Sequence, residues 1–379
     1  MKITLVTPSL FCGGAERVVV SLAEGFESHG HQVTVITGTE KDTDFYQLPP
    51  GVKRIPLGIM GISKNPLDAI KSNLNRVVTL RKAIESSQPD IVMSHLTETN
   101  VLTVLATLNT EYPVLITEHC DPNLISYGRF WETLRRLVYP FATKLVSVSQ
   151  GVEDYFTWLP QNKKEVIYNP FFVSKNASSQ IEIPSGVDPE RKWIMSMGRL
   201  TNQKGFDILL KAFAKIAAKY PQWQLIILGE GELRQELEEL KAELNLGKQV
   251  VLPGRVKNPF LLMERAEFFV MSSRFEGFPM AHGEAMLCGL PVIATDCPSG
   301  PRELVRDSID GILIPNQDES ALTVAIERLI SNPEERTQFA KSAPEVGTRF
   351  SLDKIIQDWT NLSDRAIQEK QGRGGKSNV

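Results

Sequence analysis

The sequence predicts an α/β protein built from two doubly wound, Rossmann-like domains, and three observations support this prediction. Short runs rich in Val, Ile, Leu and Thr alternate with longer helical patterns. The runs are nearly continuous in apolar character, which is typical of parallel strands that are covered on both faces. The alternation stops at one polar, turn-rich stretch and then starts again. We therefore expect one parallel sheet before that stretch and another after it.

The predicted strands fall into two series. The first series covers residues 2–7, 32–37, 90–95, 114–118, 144–149 and 165–168. The second series covers residues 192–197, 224–228, 250–252, 267–271, 291–295 and 311–314. Apolar residues at helical spacing predict helices between and after the later strands. These helices are expected at residues 205–219, 232–244, 281–288, 319–330, 333–342 and 352–366.

A chain of 379 residues suffices for two or three domains of ~100–200 residues. The alternation of strands and helices indicates where these domains begin and end. We expect an N-terminal domain over 1–173, a linker over 174–190 and a C-terminal domain over 191–350. A last helix over 351–367 is expected to return to the N-terminal domain. The tail 368–379 has no apolar residue before its last position and is predicted to be disordered. Ligands of such sheets bind beyond the carboxyl ends of the strands, so the expected site is a cleft between two facing domains.

Composition excludes several classes of protein. Lys and Arg total 42 against 45 Asp and Glu, and this balance argues against a general nucleic-acid binder. The four cysteines have no CxxC spacing, so neither a disulfide framework nor a metal site is predicted. No apolar run approaches the ~18 residues of a membrane span. The first residues, MKITLVTPSL, indicate a strand and not a signal peptide. We therefore expect a cytoplasmic protein.

Two loops that follow predicted strands contain residues suited to binding anions. Gly13 and Gly14 follow the first strand and open a helix, where glycine lets a ligand approach the backbone. Such a pair by itself is more often only a turn. Arg199 and Lys204 lie between the strand that ends near 198 and the helix that begins near 205. Two cations at this position can neutralise a diphosphate, although a solvated charged loop is the ordinary alternative.

The segment from Ser273 to Met286 carries most of the functional information. Glu276 follows a predicted strand, and Glu284 lies on the helix after it. Carboxylates accept hydrogen bonds from vicinal sugar hydroxyls. The start of the helix leaves backbone N–H groups for a phosphate. The arrangement suits a ribose, a diphosphate and a hexose, whereas either glutamate alone could simply be exposed.

The spacing of Glu276 and Glu284 within FEGFPMAHGEAMLCGLPVIAT resembles the signature of retaining glycosyltransferase family four, whose fold is called GT-B. The resemblance extends over nearly the whole chain in the expected order. Its further motifs are GGAER at 13–17, TEHC at 117–120, GRLTNQKGFDILLKAF at 198–213, LGEGELR at 228–234, LPGRVKN at 252–258 and SGPRELV at 299–305.

The resemblance assigns roles to individual residues. Glu276 would contact hydroxyls of the donor sugar, and Glu284 the nucleotide ribose. Arg199 and Lys204 would hold the diphosphate, and His119 would contact the transferred sugar near the reaction centre. The remaining donor contacts would come from Gly13, Gly14, Gly277, Phe278, Pro279, Met280 and the backbone of Val256. The family usually works without a metal or other cofactor, and none is predicted here. His119 as a structural core histidine remains an alternative.

The motifs at 117–119, 135–145 and 299–304 are similar to bacterial enzymes of surface polysaccharide synthesis. Among these are the N-acetylgalactosamine transferases that extend undecaprenyl-diphosphate-linked oligosaccharides. The acceptor would then be a glycan, on a polyprenyl diphosphate, at the inner face of the plasma membrane.

Two basic segments could contact a membrane or the acceptor diphosphate. In residues 64–84 an apolar stripe is flanked by Lys64, Lys71, Arg76 and Lys82; in residues 127–141 aromatic residues accompany Arg135 and Arg136. A core-packing helix with a solvated basic face explains the first segment equally well. A buried helix with an exposed edge is the alternative for the second segment.

The predicted function is the transfer of a sugar from UDP-N-acetylhexosamine or UDP-hexose to a glycan hydroxyl, with retention of configuration. Guanosine is the alternative base, and N-acetylgalactosamine, N-acetylglucosamine, galactose, glucose and mannose all remain open. A nucleotide-sugar epimerase or a phosphorylase-like enzyme could use the same two-domain architecture. A non-catalytic binding subunit would lack the residues that contact the donor, and all of these residues are present.

Overall fold

The structure is a computed structural model that describes residues 1–61, 66–125, 128–172 and 182–374. Its strands form two sheets in which every pairing is parallel. The strands of the first sheet are β1 Lys2–Thr7, β2 Gln32–Thr37, β3 Lys53–Pro56, β4 Ile91–His95, β5 Val114–Glu118, β6 Lys144–Ser147 and β7 Lys164–Val166. The strands of the second are β8 Lys192–Met197, β9 Trp223–Leu228, β10 Val250–Gly254, β11 Phe268–Met271, β12 Val292–Asp296 and β13 Gly311–Pro315.

Helices connect the strands of both sheets. Those of the first half are α1 Gly14–Ser28, α2 Pro66–Ser87, α3 Thr97–Ala106, α4 Gly128–Val138 and α5 Gln150–Glu153. Those that follow are α6 Phe206–Ala217, α7 Arg234–Glu243, α8 Phe260–Met263, α9 Met280–Leu287, α10 Pro301–Leu304, α11 Glu319–Ser331, α12 Pro333–Ser342, α13 Val346–Arg349 and α14 Leu352–Gly374. Among the described residues, none of the helices combines the length and hydropathy that a bilayer span requires.

The chain divides into two compact units. Unit 1 comprises Met1–Pro170 and Leu352–Val379, and unit 2 comprises Phe171–Ser351. In unit 1 the strand order is β3-β2-β1-β4-β5-β6-β7, and in unit 2 it is β10-β9-β8-β11-β12-β13. Two Rossmann-like parallel sheets confirm the fold class predicted from the alternating pattern. The continuous apolar runs arise because helices cover both faces of such sheets.

The helices pack their apolar faces against the sheets and against one another. In unit 1, α1 packs against α14, while α3 contacts both α2 and α4. In unit 2, α6 packs against α7 and α11. The core of unit 2 gathers large side chains from strands and helices alike, among them Phe213, Trp223, Phe268 and Leu329, which are at most 1% exposed. These layers hold the loops at the carboxyl ends of the strands in fixed positions.

Strand β3 and the C-terminal tail differ from the sequence prediction. Strand β3 was not predicted, because KRIP is short, charged and ends in proline, and it lies at the edge of its sheet. The tail was predicted to be disordered from residue 368, but α14 continues to Gly374. Gln, Glu and Lys are good helix formers, so the helix propagates past its last apolar residue. Of the predicted linker, residues 174–181 lie outside the described part, and residues 182–190 form neither helix nor strand.

Candidate active site

The strand order of unit 2 reverses between β8 and β11, which lie side by side. From β8 the chain continues to β9 on one side, and from β11 it continues to β12 on the other. The loops after β8 and β11 therefore diverge and form a crevice, where ligands of this fold bind. Arg199 and Lys204 lie in the first loop, and Glu276 lies in the second.

An ion pair joins the two loops. The Nζ atom of Lys204 lies 2.6 Å from Oε1 of Glu276, and Ser273 Oγ donates to the same oxygen at 2.6 Å. The Lys204 side chain is 17% exposed and that of Glu276 is 6% exposed. Water therefore screens this pair weakly, and each charge depends on the other. The structure thus brings together two residues that the sequence predicted for one site.

Arg199 shares the loop of Lys204 but is exposed. Its guanidinium makes no hydrogen bond or ion pair with any residue that the structure describes. Because the guanidinium presents a fork of N–H donors, it can bind two oxygens of a phosphate without breaking an existing contact.

The loop after Glu276 leads into helix α9. Gly277, Phe278 and Pro279 are buried, and Met280 begins the helix. The first N–H groups of a helix have no acceptor within the helix, so this end favours an anion. Glu284 is 3% exposed and lies one turn further along α9.

Two buried titratable groups that the sequence analysis did not single out lie close to this ion pair. His282 is fully buried on α9, and burial, together with the charge of Lys204, lowers its pKa to about 3. Burial and the negative charge of Glu276 raise the pKa of the Cys297 thiol to about 12. Both groups are therefore uncharged at neutral pH. The available signal for His282 was its place between the two glutamates of the motif.

Val256 follows the end of β10 in a half-buried position. Strand β10 lies at the edge of the sheet, and β9 separates it from β8. Since all these strands are parallel, Val256 lies at the same carboxyl edge as Arg199 and Glu276.

In unit 1 the strand order reverses between β1 and β4. Gly13 follows β1 as the N-cap of α1, and Gly14 is the first, exposed residue of the helix. The Glu16 carboxylate folds back on Gly13, where a Cβ atom would overlap it, and Ser9 Oγ donates to Glu16 Oε1 at 3.2 Å. The sequence analysis included Glu16 in the GGAER motif but assigned it no role, although an acid in the first turn of a helix is a signal.

His119 follows β5 and forms a buried pair with His95 at the end of β4. Nδ1 of His95 lies 3.0 Å from Nε2 of His119, and the residues are 0% and 7% exposed. Burial lowers the pKa of His119 to about 4. The pKa of His95 lies well below its usual value, mainly because of burial and also because of the interaction with His119. Both rings are therefore neutral at pH 7. His95 was not predicted, because its pairing depends on β4 and β5 lying side by side.

Glu118, the neighbour of His119, is held in a buried polar cluster. Its carboxylate accepts hydrogen bonds from Thr97 Oγ1 at 2.9 and 3.0 Å and from the Tyr139 hydroxyl. Burial raises the pKa of Glu118, although the charge of Arg135 opposes the rise. Arg135 is 0% exposed and donates to Glu132 and to Tyr155 Oη.

The prediction that Arg135 faces a membrane or an acceptor is therefore wrong. The Arg135 side chain is buried in unit 1, where it donates to Glu132 and its charge acts on Glu118.

The other predicted surface cations divide into two groups. Lys71, Lys82 and Arg136 are exposed. Arg76 is half-buried, and its guanidinium donates to Ile59 O at 3.0 Å, so it holds the loop before α2. Lys64 lies outside the described residues.

Large apolar side chains are exposed on the same helices as these cations. They are Leu74 and Val78 on α2, Phe130 and Leu137 on α4, and Phe141 just after it.

A cavity of about 450 Å³ opens elsewhere in unit 1, lined by Lys2, Gln32 and Lys53 among others. These three residues begin β1, β2 and β3, so the cavity lies at the amino edge of the sheet. Gly13, Gly14 and His119 follow strands of this sheet and therefore lie at its opposite edge, where parallel α/β sheets bind ligands. Among the described residues, no cluster of three or more His, Cys, Asp or Glu is arranged to hold a metal.

Two protein families match the chain, one after the other. The family described as Glycosyltransferase Family 4 matches residues 12–174. The family described as Glycosyl transferases group 1 matches residues 178–346.

A relative over the whole length is the GalNAc-alpha-(1->4)-GalNAc-alpha-(1->3)-diNAcBac-PP-undecaprenol alpha-1,4-N-acetyl-D-galactosaminyltransferase of Campylobacter jejuni. It is 28% identical, over 96% of this chain and 98% of that protein.

Two solved structures share the fold. Sucrose-phosphate synthase from Thermosynechococcus elongatus has a TM-score of 0.82 at 20% identity, over 97% of this chain and 100% of that one. The Anabaena protein HepE, solved in complex with UDP and glucose, has a TM-score of 0.77 at 22% identity, over 96% of this chain and 99% of that one.

Proposed function

Because this chain belongs to the glycosyltransferases, with a family 4 domain followed by a group 1 domain, we propose that it is a retaining hexosyltransferase. The donor is a nucleotide-diphosphate sugar, and the acceptor is a hydroxyl of a glycan linked to polyprenyl diphosphate. The observation that carries the donor half is the Lys204–Glu276 pair at the strand reversal of unit 2, beside the exposed Arg199. A cation and a carboxylate there match the diphosphate and the sugar hydroxyls of one ligand.

The cations act on the leaving group. The bond from the anomeric carbon to the diphosphate breaks, and the acceptor oxygen bonds to that carbon on the same face. The leaving phosphate takes the acceptor proton, so no separate base is required. Arg199, Lys204 and the N-terminus of α9 stabilise the charge that develops on the diphosphate, and this scheme needs no metal. Lys204 has three N–H donors, so its ammonium can serve Glu276 and a phosphate together.

The remaining donor contacts follow the order of the ligand. Glu276 binds hydroxyls of the sugar, and the backbone from Gly277 to Met280 makes further contacts with the donor. Glu284 binds the ribose, and the backbone of Val256 recognises the base. We favour uridine with an N-acetylhexosamine or hexose. The Anabaena neighbour bound to UDP and glucose and the C. jejuni relative named for N-acetylgalactosamine transfer support this choice.

Unit 1 contributes His119 and the Gly13–Gly14 turn in this proposal. His119 is neutral at physiological pH because burial lowers its pKa to about 4. A neutral imidazole at the carboxyl edge of the sheet can exchange hydrogen bonds with the transferred sugar. The glycines leave room for the donor to approach the backbone.

The acceptor side of the proposal includes contact with an anionic membrane at its cytoplasmic face. Helix α2 exposes Lys71 and Lys82 together with Leu74 and Val78. These residues recur at intervals of three or four and therefore share one helical face. Exposed cations beside apolar side chains suit an interface of acidic headgroups and acyl chains, at about 1 kcal/mol per cation. Arg136 on α4 offers a further cation among exposed apolar residues.

Transfer assays with the purified chain test the proposal. The donors are UDP-GalNAc, UDP-GlcNAc, UDP-galactose, UDP-glucose and GDP-mannose, offered with and without polyprenyl-diphosphate-linked glycans. We expect a product only when donor and acceptor are both present, with the anomeric configuration of the donor as read by NMR. Glu276→Gln should abolish turnover while the protein stays folded. Epimerised donor without acceptor would indicate an epimerase, and an inverted product would overturn retention.

A further inference from the structure

The two loops that carry Lys204 and Glu276 are fastened to each other along their backbones. The N–H of Arg274 donates to Gln203 O at 2.8 Å, and Gln203 Nε2 donates to Phe275 O at 3.1 Å. Ser272 Oγ donates to Lys204 O at 3.1 Å. These contacts place residues 203–204 directly beside residues 272–275, although the segments are far apart in sequence.

The loops also come into close contact at Gly205. This residue has a φ of +62°, and a Cβ atom there would overlap the carbonyl oxygen of Ser272. Glycine is therefore required both for the left-handed backbone and for the contact. Immediately after it, α6 begins, with Asp207 in its first turn.

Arg274 and Asp207 form a bidentate ion pair between the loop after β11 and the first turn of α6. Nη1 of Arg274 lies 2.9 Å from Oδ1 of Asp207, and Nη2 lies 2.7 Å from Oδ2. Nη1 also donates to Asn202 O at 2.7 Å. The side chains are 19% and 33% exposed. Although burial raises the pKa of Asp207, the hydrogen bonds and charge of Arg274 leave it below its usual value.

We propose that Arg274 and Asp207 are positioning residues that fix Lys204 and Glu276 in the geometry that binds the donor. The inference rests on the proposed function. Arg274 precedes Glu276 by two residues, and its contacts bracket Lys204, with Asn202 on one side and Asp207 on the other. We call the Arg274–Asp207 pair the clamp. It acts on both members of the Lys204–Glu276 ion pair without belonging to that pair.

A third loop forms a hydrogen bond with Arg274. Asn316, which follows β13, donates from Nδ2 to the carbonyl of Arg274 at 2.9 Å. The backbone of Arg274 is thus held on both its N–H and its C=O side. Because binding groups must be held to within about 0.5 Å, rigid support of this kind decides how well a site performs.

Lysine cannot replace arginine in this arrangement. Its single ammonium group cannot bond two carboxylate oxygens and Asn202 O in one plane. We therefore expect Arg274→Lys to keep the charge but release the loops. The control is Arg328→Lys, because Arg328 also bonds both oxygens of a carboxylate, that of Glu335, between α11 and α12. The two variants remove the same kind of contact at different places in unit 2.

The first measurement is amide hydrogen exchange on the full chain without ligand. Arg274→Lys should raise exchange at residues 200–206 and 272–278, and Arg328→Lys should leave both segments unchanged. Equal exchange in the wild type and Arg274→Lys would overturn the clamp. This readout does not depend on any donor.

The second measurement is donor kinetics and UDP affinity. Misplacement of binding groups by about 1 Å can cost ~10²-fold, so we expect Arg274→Lys to lower kcat/KM for the donor about 10- to 100-fold. Asp207→Asn should do the same, and the double variant should be no worse than the poorer single one. In a Lys204→Ala background Arg274→Lys should add little to the loss of UDP affinity. A purely structural role would instead lower the melting temperature and leave KM unchanged.

The outcomes separate this inference from the proposed function. Sugar transfer that is equally efficient in the wild type and Arg274→Lys would refute the clamp and leave the function intact. A wild-type chain that binds no nucleotide diphosphate would refute the proposed function, and the role of the clamp with it.

Discussion

Replacement of Lys204 by Met tests how far the buried ion pair supports unit 2. The change keeps the unbranched side chain up to the ε position and removes the ammonium that lies 2.6 Å from Glu276. The glutamate, 6% exposed, is then left with Ser273 as its close hydrogen-bond donor. Loss of one partner from a fully buried pair costs about 3–5 kcal/mol. Because the Lys204 side chain keeps 17% exposure, we expect a loss of about 2–3 kcal/mol in the free energy of unfolding.

This loss is large enough to measure by calorimetry. For a domain of 150–250 residues each kcal/mol lowers the melting temperature by about 2–4 °C, so the transition of unit 2 should fall by about 4–12 °C. Lys219→Met is the matched control, since Lys219 also lies 2.6 Å from a glutamate but is 66% exposed. Solvent screens that pair, and its removal should leave the transition nearly unchanged.

A second variant separates stability from activity. Adding Glu276→Gln to Lys204→Met removes the unpaired buried charge, so the melting temperature should recover while sugar transfer stays abolished. If Lys204→Met has the same melting temperature as Lys219→Met, the reasoning about burial is wrong. If the double variant melts lower than Lys204→Met, the carboxylate contributes to stability by some route other than its pairing with Lys204.

Three further outcomes follow from the described residues. Folding lowers the pKa of His282 from 6.5 to about 3, so between these pH values the unfolded chain binds a proton that the folded chain does not. The free energy of unfolding should therefore fall as pH drops from about 6.5 towards 3. His282→Leu should reduce this fall in urea titrations, and the rest of it comes from His95 and His119, whose pKa values burial also lowers. Lys71→Glu with Lys82→Glu should weaken flotation with anionic vesicles, whereas Lys215→Glu in unit 2 should not; unchanged flotation at moderate ionic strength would exclude a membrane contact through α2. Arg135→Met should lower the melting temperature and leave vesicle binding unchanged, because this arginine is buried; weaker flotation would contradict that placement.

Most of the strands could be predicted from the sequence because the strands of covered parallel sheets have nearly continuous apolar runs. The bounds of β1, β2, β5 and β8 agree with the predicted ones to the residue. Strand β3 lacked the pattern, because an edge strand of four residues can be charged and still form hydrogen bonds with one neighbour. The end of α14 was missed for a related reason, since helix propensity extends a helix beyond the apolar residues that anchor it.

The candidate site was predictable to the extent that its residues follow strands. Arg199, Lys204 and Glu276 each lie in a loop after a parallel strand, and the topology brings such loops to one edge. Glu16 and His95 were assigned no role, because an acid in a first helical turn and a histidine in a buried strand are ordinary features of α/β proteins. Arg135 was misplaced, because helical spacing shows which residues share a face but not which charge that face encloses.

The sequence by itself determined the alternation of strands and helices, the two-sheet architecture and the residue types in the loops. These features depend on apolar periodicity, turn chemistry and motif spacing, all of which are local. Only the tertiary structure decided the pairings, such as Lys204 with Glu276 across 72 residues and Arg274 with Asp207 across 67. Such contacts exist because β8 and β11 lie side by side, and strand order is a property of the whole sheet. Burial then decides the strength of each pairing, since a charge that water cannot reach depends on its partner.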